Sequence, residues 1–352
     1  MALFKKYQEI REPLLGIDMG YDTLKLVLIK HKGERGKLLA FNFIPIPKMS
    51  LYRADPRDKQ IISEAIKQAL ASAKPGPIKD KLVATALPES KVFTKVIQVP
   101  KMDECELEEA IPYEAGRHVP LPAKESIMDW QVVGSSNPDT LDVLIVAAPR
   151  PLINNYMEVL ANAGLEVAAI ETKPIAESRA LISNEAHPVL IVDIGAEAAS
   201  ISVIDQKVIK FTYTIPHGGY SFTKTIIQAL GVSEIEAEKI KKQVGLLQDA
   251  RLKNQVFAAL EPLIKDIVHE ISNAAKFYES RSVPTRKIVE IRLCGGGANT
   301  PGMIQYIQQA TEIRTTLGNP FVNLSGSLIQ QIPAPESLRY VAAIGLGLRQ
   351  FK

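Results

Sequence analysis

The chain has few cysteines and no long hydrophobic run, and each shortage excludes a class of protein. Its two cysteines, Cys105 and Cys294, lack metal-ligand spacing, so we expect two small buried residues rather than a disulfide or nucleophiles. No apolar stretch reaches the roughly 20 residues of a membrane helix. Charged residues within positions 1–9 predict that no signal peptide is present. We therefore expect a cytoplasmic protein that meets a membrane only through partners.

The chain also lacks a large excess of charge of either sign, because its formal net charge is only +3. No arginine-rich run with interleaved aromatic residues occurs, so nucleic acid is not an expected partner. The histidines do not pair at metal-ligand spacing, and no serine or cysteine lies in a nucleophile-elbow sequence. The pattern therefore identifies no catalytic residue and gives no support to covalent hydrolase chemistry.

The succession of strand-like and helix-like segments predicts an α/β protein with two lobes. Apolar alternation over 1–87 predicts mainly strands with one helix, and a similar series of strands begins at 188. The segment between these two series is bounded by prolines. Its strand-like and helix-like patterns are typical of a small α+β subdomain. We predict a first lobe from 1–87 and 169–187, an inserted subdomain over 88–168, and a second lobe over 188–352. Residues of about 218–287 form a helical part of the second lobe in this prediction.

Three apolar runs that end in glycine turns carry the strongest functional signal: 14–20, 189–195 and 291–299. The first two place Asp18 and Asp193 just before a glycine. A buried strand delivers such an aspartate to its carboxyl end, and the glycine lets the backbone approach a ligand. Two such turns facing each other across one cleft would grip phosphates and a metal ion from both sides. Their shared strand–Asp–x–Gly opening also suggests an internal duplication.

Asp18 and Asp193 are predicted to hold a divalent cation through water, while glycine amides contact the phosphates. The alternative is that each aspartate only caps a turn. The Asp-x-Gly turn follows a hydrophobic strand in both halves of the chain, which favours the ligand interpretation.

Several other residues have both a functional and a plain structural interpretation. Lys25 could reach back to a phosphate, or face solvent at a strand edge. Glu238 and Lys241 lie one helical turn apart and could hold a ribose hydroxyl and an adenine edge, or form a solvated ion pair. The glycines over 295–297 would admit a ring or ribose against bare backbone.

Taken in order, these motifs resemble those of the actin, sugar-kinase and heat-shock-chaperone ATPase superfamily. Residues 16–20 and 192–195 resemble the two phosphate motifs, and 295–299 resembles the adenosine motif. Residues 237–241 resemble the adenosine-contacting helix of the cell-division actin FtsA. The resemblance implies a two-lobed actin-like (ribonuclease H-like) fold with an FtsA-type inserted subdomain. It implies ATP and Mg²⁺ as ligands, with these contact residues: Asp18, Gly20, Thr23, Lys25, Asp193, Gly195, Glu238, Lys241, Gly295, Gly296, Gly297 and Asn299.

Within that branch the chain is similar, over nearly its whole length, to the PilM family of type IV pilus assembly proteins. The most specific match is in 109–115, with 118–122 and 129–132 following, and the segment 342–349 also fits. This resemblance implies a cytoplasmic scaffold, peripheral to the inner membrane, that docks the tail of a PilN-type membrane protein. Other pilus platform proteins are further implied partners, and self-association is compatible with the family.

The phosphate motifs depart from the family pattern. Tyr21 and Asp22 stand where small hydroxyl residues are usual, and Ala198 replaces a threonine, which leaves Thr23 and Ser200 as the nearby hydroxyls. A carboxylate close to a phosphate is repelled unless a cation bridges the two. Our hypothesis is that nucleotide binding is weakened or structural, with little or no hydrolysis.

Two alternatives lie within the same superfamily. An FtsA-like cell-division actin would carry an amphipathic anchor after a linker, whereas this sequence ends soon after its last predicted helix. A small-molecule kinase would need a catalytic carboxylate between its halves. Glu171 is the one candidate for that base, but no sugar-binding cluster accompanies it.

Overall fold

The computed structural model describes residues 13–32, 35–48, 51, 54–135, 138–248, 251–281 and 286–350. The stretch 1–9, on which the expectation about a signal peptide rests, lies outside the described residues, as do the last two residues of the chain.

The regular elements alternate along the chain much as the apolar pattern predicts. The strands are β1 (Leu14–Met19), β2 (Thr23–Lys32), β3 (Arg35–Pro45), β4 (Leu82–Leu87), β5 (Phe93–Pro100), β6 (Ser126–Gly134), β7 (Thr140–Pro149), β8 (Glu166–Thr172), β9 (Val189–Ile194), β10 (Ala199–Asp205), β11 (Val208–Ile215), β12 (Glu290–Cys294), β13 (Arg314–Leu317) and β14 (Leu324–Ser325). The helices are α1 (Pro56–Ala71), α2 (Glu104–Gly116), α3 (Arg150–Asn162), α4 (Lys173–Leu181), α5 (Gly219–Leu230), α6 (Glu234–Gln243), α7 (Arg251–Arg281), α8 (Met303–Thr311), α9 (Ala334–Ser337) and α10 (Val341–Gly347).

Helix α2 begins at a capping box that is visible in the sequence. Asp103 accepts a hydrogen bond from the Glu106 backbone N–H at 2.9 Å, and Glu106 accepts one from the Asp103 N–H at 2.9 Å. The helix continues through Pro112, although a proline within a helix usually interrupts or kinks it. Cys105, in the first turn, is exposed, whereas Cys294 is buried. The expectation that both cysteines are buried is therefore wrong for Cys105.

The described residues divide into two compact units. Unit 1 comprises the described residues up to Ser183, together with Pro320–Ile332 and the segment from Tyr340 onward. Unit 2 comprises Asn184–Asn319 and Pro333–Arg339.

The main sheet of unit 1 has the strand order β14-β3-β2-β1-β4-β8. The strands β1, β2 and β3 are antiparallel neighbours, while β4 and β8 run parallel to β1. Strand β1 is buried at every position, as expected for a central strand covered on both faces. Helices α1 and α3 contribute Ile66 and Tyr156 to the same apolar core.

The sheet of unit 2 repeats this plan with the order β11-β10-β9-β12-β13. Its first three strands are antiparallel neighbours, and β12 and β13 run parallel to β9. Each unit therefore has a central strand with an antiparallel pair on one side and a parallel pair on the other. This shared order and direction supports the internal duplication suggested by the two Asp-x-Gly turns.

The inserted segment forms a three-stranded antiparallel sheet in the order β5-β7-β6. Helix α2 packs on it, with Leu107 and Ile111 joining Ile97 and Val143 in a separate small core. Helix α3 lies inside the predicted insertion of 88–168, yet its buried residues belong to the main core of unit 1. The separate α+β core is thus shorter than the predicted subdomain.

The C-terminal segment differs from the prediction that 188–352 forms one lobe. Strand β14 pairs with β3, and α10 packs on β1, β2 and α4 within unit 1. Glycines allow this close approach. A Cβ at Gly16 would lie 2.1 Å from the Ala343 carbonyl oxygen, and one at Gly345 would lie 1.7 Å from that of Ala176.

Candidate functional site

The turn between β1 and β2 holds Asp18, Gly20 and Thr23 near the carboxyl end of the central strand of unit 1. The Gly20 N–H donates to the Thr23 carbonyl at 2.9 Å, which closes the turn. The Asp22 carbonyl accepts from the Ile46 N–H at 2.9 Å, which ties the turn to the end of β3. The first predicted phosphate motif is therefore a hydrogen-bonded turn.

Two ammonium groups bracket the Asp18 carboxylate. Lys25 Nζ lies 3.0 Å from Oδ2, and Lys173 Nζ lies 3.1 Å from Oδ1. Asp18 itself is only 2% exposed. Burial raises the pKa of Asp18, but the charges of Lys173 and Lys25 outweigh burial and lower this pKa to about 2. One carboxylate and two ammonium groups give the cluster a net charge of about +1 at neutral pH.

The two lysines of this cluster differ in how visible they are from sequence. Lys25 reaches back across the hairpin, where it is the register partner of Asp18, and its 9% exposure rules out the solvent-facing alternative. Lys173, the first residue of α4, carries no motif signal. Because β1, β4 and β8 are parallel neighbours, the end of β8 at Thr172 lies at the same edge of the sheet as the end of β1. Lys173 follows Thr172 directly and therefore lies near Asp18.

In this arrangement the Asp18 carboxylate does not fit a Mg²⁺ ligand. Mg²⁺ needs oxygen lone pairs, and each Asp18 oxygen already faces an ammonium group. At an effective dielectric constant of about 20, two unit charges about 4 Å apart interact by about 4 kcal/mol, so a divalent cation beside two ammonium groups is strongly repelled. Metal binding at Asp18 through water stays a prediction.

Asp193 lies in a different environment at the end of β9 in unit 2. It is half-buried and makes no ion pair or side-chain hydrogen bond with any residue in the described part of the chain. A carboxylate with open lone pairs at a glycine turn suits an oxygen-seeking cation such as Mg²⁺. Of the two predicted metal ligands, Asp193 therefore fits better, and its metal binding also stays a prediction.

The three consecutive glycines after β12 have unequal surroundings. A Cβ at Gly295 would lie 2.0 Å from Asp193 Oδ1, and one at Gly297 would lie 2.3 Å from Ile194 Cγ2. At Gly296 the nearest such atom is 3.7 Å away, on Arg339, and the residue is exposed. Packing against the end of β9 therefore explains two of the glycines without a ligand. Only Gly296 leaves bare backbone open to an approaching molecule.

The N-terminus of α5 packs directly on the turn after β9. The Gly219 N–H donates to the Gly195 carbonyl at 2.8 Å, and the Tyr220 N–H donates to the Ala196 carbonyl at 2.8 Å. A Cβ at Gly218 would lie 2.7 Å from three backbone atoms of the same turn. These contacts fix the shape of the second predicted phosphate motif.

Glu238 and Lys241 form more than a solvated ion pair. Lys241 Nζ donates to the Gly219 carbonyl at 2.9 Å and to the Thr223 hydroxyl at 2.8 Å, and it also pairs with Glu238. The Thr223 hydroxyl donates to Glu238 as well. Burial raises the pKa of Glu238, but hydrogen bonds from Lys241 and Thr223 lower it below the usual value. The network joins α6 to the first turn of α5, and Thr223 is a member that the sequence motif did not reveal.

Unit 2 thus brings together most of the predicted residues of the second half. Asp193 lies against the Gly295 turn, and Gly195 connects through Gly219 to Lys241. Asn299 has a structural contact, since its side-chain amide donates to the Pro335 carbonyl at 2.7 Å. The arrangement offers a carboxylate, an open glycine and a fixed Glu–Lys pair around a set of hydrogen-bonded turns.

Glu171, the base that a kinase would need, is held by two arginines in unit 1. Arg179 donates to both of its carboxylate oxygens at 2.8 and 3.1 Å, and Arg349 pairs with one of them. Burial raises the pKa of Glu171, but Arg179 and Arg349 outweigh burial and hold it below the usual value. A paired, acidic carboxylate is a poor general base. Glu171 instead ties β8 to α4 and to the C-terminal segment.

We expect Glu171→Gln to lower the free energy of unfolding by about 2 kcal/mol at pH 7, because two arginines lose a charged acceptor. The folded-state pKa is lowered, so this stabilisation is present above the unfolded-state pKa near 4.5 and is lost as pH falls through the folded-state pKa. The difference between wild type and variant should therefore shrink in acid. Urea unfolding at pH 7 and below pH 4.5 measures it.

The matched control is Glu64→Gln, which removes an exposed pair with Lys67 on α1. It should leave the unfolding midpoint nearly unchanged. Equal effects of the two substitutions at pH 7 would contradict a structural role for Glu171.

Comparison with known proteins identifies the family. The sequence profile described as "Type IV pilus assembly protein PilM" matches residues 16–351. This chain belongs to that family. A solved structure titled "PilM-PilN type IV pilus biogenesis complex" has 23% sequence identity and a TM-score of 0.81, covering 97% of this chain and 99% of the other. The expected actin-like α/β fold is thereby confirmed.

More distant relatives share the fold. The ethanolamine utilization protein EutJ from Carboxydothermus hydrogenoformans is 16% identical with a TM-score of 0.59, covering 99% of this chain and 93% of the other. The structure titled MreB 5 of Spiroplasma citri bound to AMPPNP is 14% identical with a TM-score of 0.52, covering 96% and 95%.

A curated relative, cell division protein FtsA of Bacillus subtilis (strain 168), is 23% identical over 198 residues. The alignment covers 50% of this chain and 44% of FtsA, so the chain spans less than half the length of that relative. Among the described helices of this chain, none is both long enough and apolar enough to cross a membrane.

Proposed function

We propose that this PilM-family chain is a cytoplasmic ATP-binding scaffold of the pilus assembly platform at the inner membrane. In this proposal it docks the cytoplasmic N-terminal tail of a PilN-type membrane protein. Family membership over residues 16–351 carries the proposal. The likeness to a structure titled as a PilM–PilN complex supports the choice of partner. Other platform proteins and further copies of the chain are additional proposed partners.

Nucleotide binding is supported by the fold and by the residues gathered in unit 2. Gly296 presents open backbone, and Asp193 offers a carboxylate for Mg²⁺. The Glu238–Lys241 pair lies in the segment that resembles an adenosine-contacting helix. The usual small hydroxyl residues are replaced by Tyr21, Asp22 and Ala198. We therefore expect the Kd for ATP to lie above about 1 μM and hydrolysis to be slow or absent. A titration with Mg-ATP that gives a lower Kd would contradict this.

The kinase alternative gains no support, because the carboxylate it requires is paired with two arginines. The FtsA-like alternative has support only over half of the chain. A pilus scaffold that acts by binding therefore fits the observations best.

The inserted subdomain presents an exposed aromatic residue that suits a protein partner. Tyr113 on α2 is 76% exposed, and it belongs to the segment 109–115 that resembles the PilM family most specifically. Exposed aromatic side chains are enriched in binding hot spots because they bury much area at a low entropy cost. A partner peptide held in extended form would add main-chain hydrogen bonds to such a contact.

The test is binding of a synthetic peptide with the sequence of the N-terminal tail of the PilN-type protein from the same organism. We expect saturable binding by fluorescence anisotropy, and a Kd raised about tenfold or more by Tyr113→Ser. Ile235→Ser is the matched control, because Ile235 is 74% exposed but lies on α6 of unit 2. Absence of binding to the tail, with a scrambled peptide giving the same signal, would refute the proposed partner.

A further inference from the structure

Strand β11 forms an open edge of the sheet of unit 2. The strand order gives it β10 as a neighbour on one side, and no described segment makes a backbone hydrogen bond to its other side. The outward N–H and C=O groups of an edge strand are a template on which another strand can add. Proline is one of the devices that protect such edges, and the eight residues of β11 contain none. The edge is therefore a surface to which a further strand can pair.

Aromatic side chains accompany this edge on the face that α7 covers. Phe211 and Tyr213 are the register partners of Val203 and Ile201, which belong to the core shared with α7. The ring of Phe211 packs on that of Phe277 in α7, with the centroids 5.0 Å apart. Tyr213 is 44% exposed and Phe277 is 39% exposed. Exposed aromatic rings beside an open edge suit a protein partner, because they bury much area at a low entropy cost.

The exposed stripe of α7 that contains Phe277 carries opposite charges at its two ends. Residues three, four or seven positions apart share one face of a helix, so this stripe also contains Glu270, Asn273 and Arg281. The Arg281 guanidinium lies over the Phe277 ring, 4.3 Å from its centroid. Within the described part of the chain, neither Glu270 nor Arg281 forms an ion pair. Each end of the stripe thus offers a charge that an approaching molecule can neutralise.

Helix α7 runs antiparallel to β11, which fixes where the two charges lie. The Tyr278 hydroxyl donates to Asp205 Oδ2 at 2.7 Å, so the C-terminal end of α7 lies beside the turn that precedes β11. His217, two residues after β11, pairs with Asp266 at 3.5 Å. The basic end of the stripe therefore lies beside the start of β11, and its acidic end lies beside the end of β11.

Such a surface is complementary to a second copy of itself. A two-fold axis perpendicular to the sheet, near Thr212, would place two β11 strands side by side in opposite directions, as antiparallel pairing requires. Phe211 of each copy would then lie beside Tyr213 of the other, on the same face. The same rotation brings the basic end of one stripe to the acidic end of the other, so Arg281 meets Glu270 twice. Self-complementarity of this kind is what an isologous dimer interface needs.

We propose that unit 2 pairs with a second copy of this chain through its β11 edge, with Arg281 of each copy opposite Glu270 of the other. The sheet of unit 2 then continues from one copy into the next. The inference deepens the part of the proposed function that names further copies of the chain as partners, and it rests on that part. It requires neither nucleotide nor the tail of a PilN-type protein.

The first test is sedimentation velocity of the full chain from about 1 to 100 μM, without nucleotide or tail peptide. The sedimentation coefficient should rise with concentration from that of a monomer to that of a dimer. Tyr213→Ser should raise the dimer Kd about tenfold or more, because an aromatic contact is lost in each half of the interface. Ile235→Ser, which removes an equally exposed apolar side chain from α6, should dimerise as wild type does.

Charge reversal tests the symmetry itself. Arg281→Glu and Glu270→Arg should each raise the dimer Kd about tenfold or more, since like charges then meet in both halves of the interface. A chain with both reversals presents opposite charges again, so its Kd should return to within about threefold of wild type. Lys265→Glu is the matched control, because Lys265 lies on α7 outside the stripe with its side chain 63% exposed. It should leave the dimer unchanged.

Wild-type chain that stays monomeric over the whole concentration range refutes the inference. A dimer that neither Tyr213→Ser nor the single charge reversals weaken uses another surface and refutes it as well. Failure of the double reversal to restore a dimer that both single reversals weaken would contradict the two-fold arrangement. Circular dichroism checks that each variant folds, and if Tyr213→Ser does not fold, the charge variants decide.

The dimer and the tail partner fail separately. Tyr213 lies in unit 2, whereas Tyr113 lies in unit 1, so Tyr213→Ser should bind the PilN-type tail peptide as wild type does. A monomeric chain that still binds the tail refutes only the dimer. A chain that forms the β11 dimer but binds no tail refutes the proposed membrane partner and leaves the inference intact.

Discussion

Gly345→Ala is expected to lower the free energy of unfolding by about 3 kcal/mol or more, because overpacking against backbone cannot be relieved by a rotamer change. The added methyl group would lie 1.7 Å from the Ala176 carbonyl oxygen and 2.3 Å from its carbonyl carbon. Helix α10 would have to move away from α4. That movement would also disturb the contact between Arg179 and the Gly345 carbonyl. Urea unfolding, followed by circular dichroism, measures the loss.

Gly116→Ala is the control for this substitution. Gly116 is the last residue of α2, and a Cβ there meets nothing within 4 Å. Alanine favours helix over glycine by up to about 1 kcal/mol, so this variant should be as stable as wild type or slightly more so. If both variants unfold at the same urea concentration, the close packing of α10 is not needed for stability.

The same helix illustrates what the sequence could not reveal about the fold. The apolar face of the last segment predicts a helix, but it does not say which core buries that face. The answer depends on glycines far apart in sequence, Gly16 and Gly345, whose missing side chains matter only once the sheet exists. Strand β14 is two residues long and has no periodicity to recognise. Strands such as β1 and β9 were predictable because each is a short apolar run that leads into a glycine turn.

The candidate site likewise contains residues that could be predicted from sequence and residues that could not. The glycine turns and the Glu238–Lys241 pair are local motifs, and the structure places them together in unit 2 through short-range contacts. Lys173 and Arg349 are distant in sequence from the carboxylates they pair with. A lysine at the start of a helix and an arginine near the chain end have many plain explanations. The strand order brings Lys173 to Asp18, and the packing of α10 brings Arg349 to Glu171.

Charge pairing also changes how the two aspartates compare. Both follow the same strand–Asp–x–Gly pattern, so the sequence treats them as equivalent metal ligands. In the structure Asp18 is ion-paired with two lysines, while Asp193 is half-buried with no such pair among the described residues. Equivalent motifs have therefore been given different electrostatic surroundings by residues outside the motif.

Gly295→Ala should have the other large effect, on both stability and ATP binding. Gly295 has φ 79° and ψ 169°, a backbone conformation that is essentially restricted to glycine. A Cβ there would also overlap Asp193 Oδ1 and lie 2.5 Å from the Ile194 carbonyl oxygen. Strain and overlap together should cost about 3 kcal/mol or more of unfolding free energy. The turn would separate from β9 and displace the Asp193 carboxylate, so ATP binding should fall below detection.

Gly296→Ala tests the same turn without the overlap. Its Cβ would lie 3.7 Å from the nearest atom, which is ordinary van der Waals contact, so the variant should unfold as wild type does. Under the proposed function it should nevertheless bind ATP more weakly, because its methyl group covers the open backbone. Unfolding curves and ATP titrations of both variants separate the two roles. Equal stability of the two variants would contradict the packing role of Gly295, and unchanged ATP binding by Gly296→Ala would contradict a ligand above this turn.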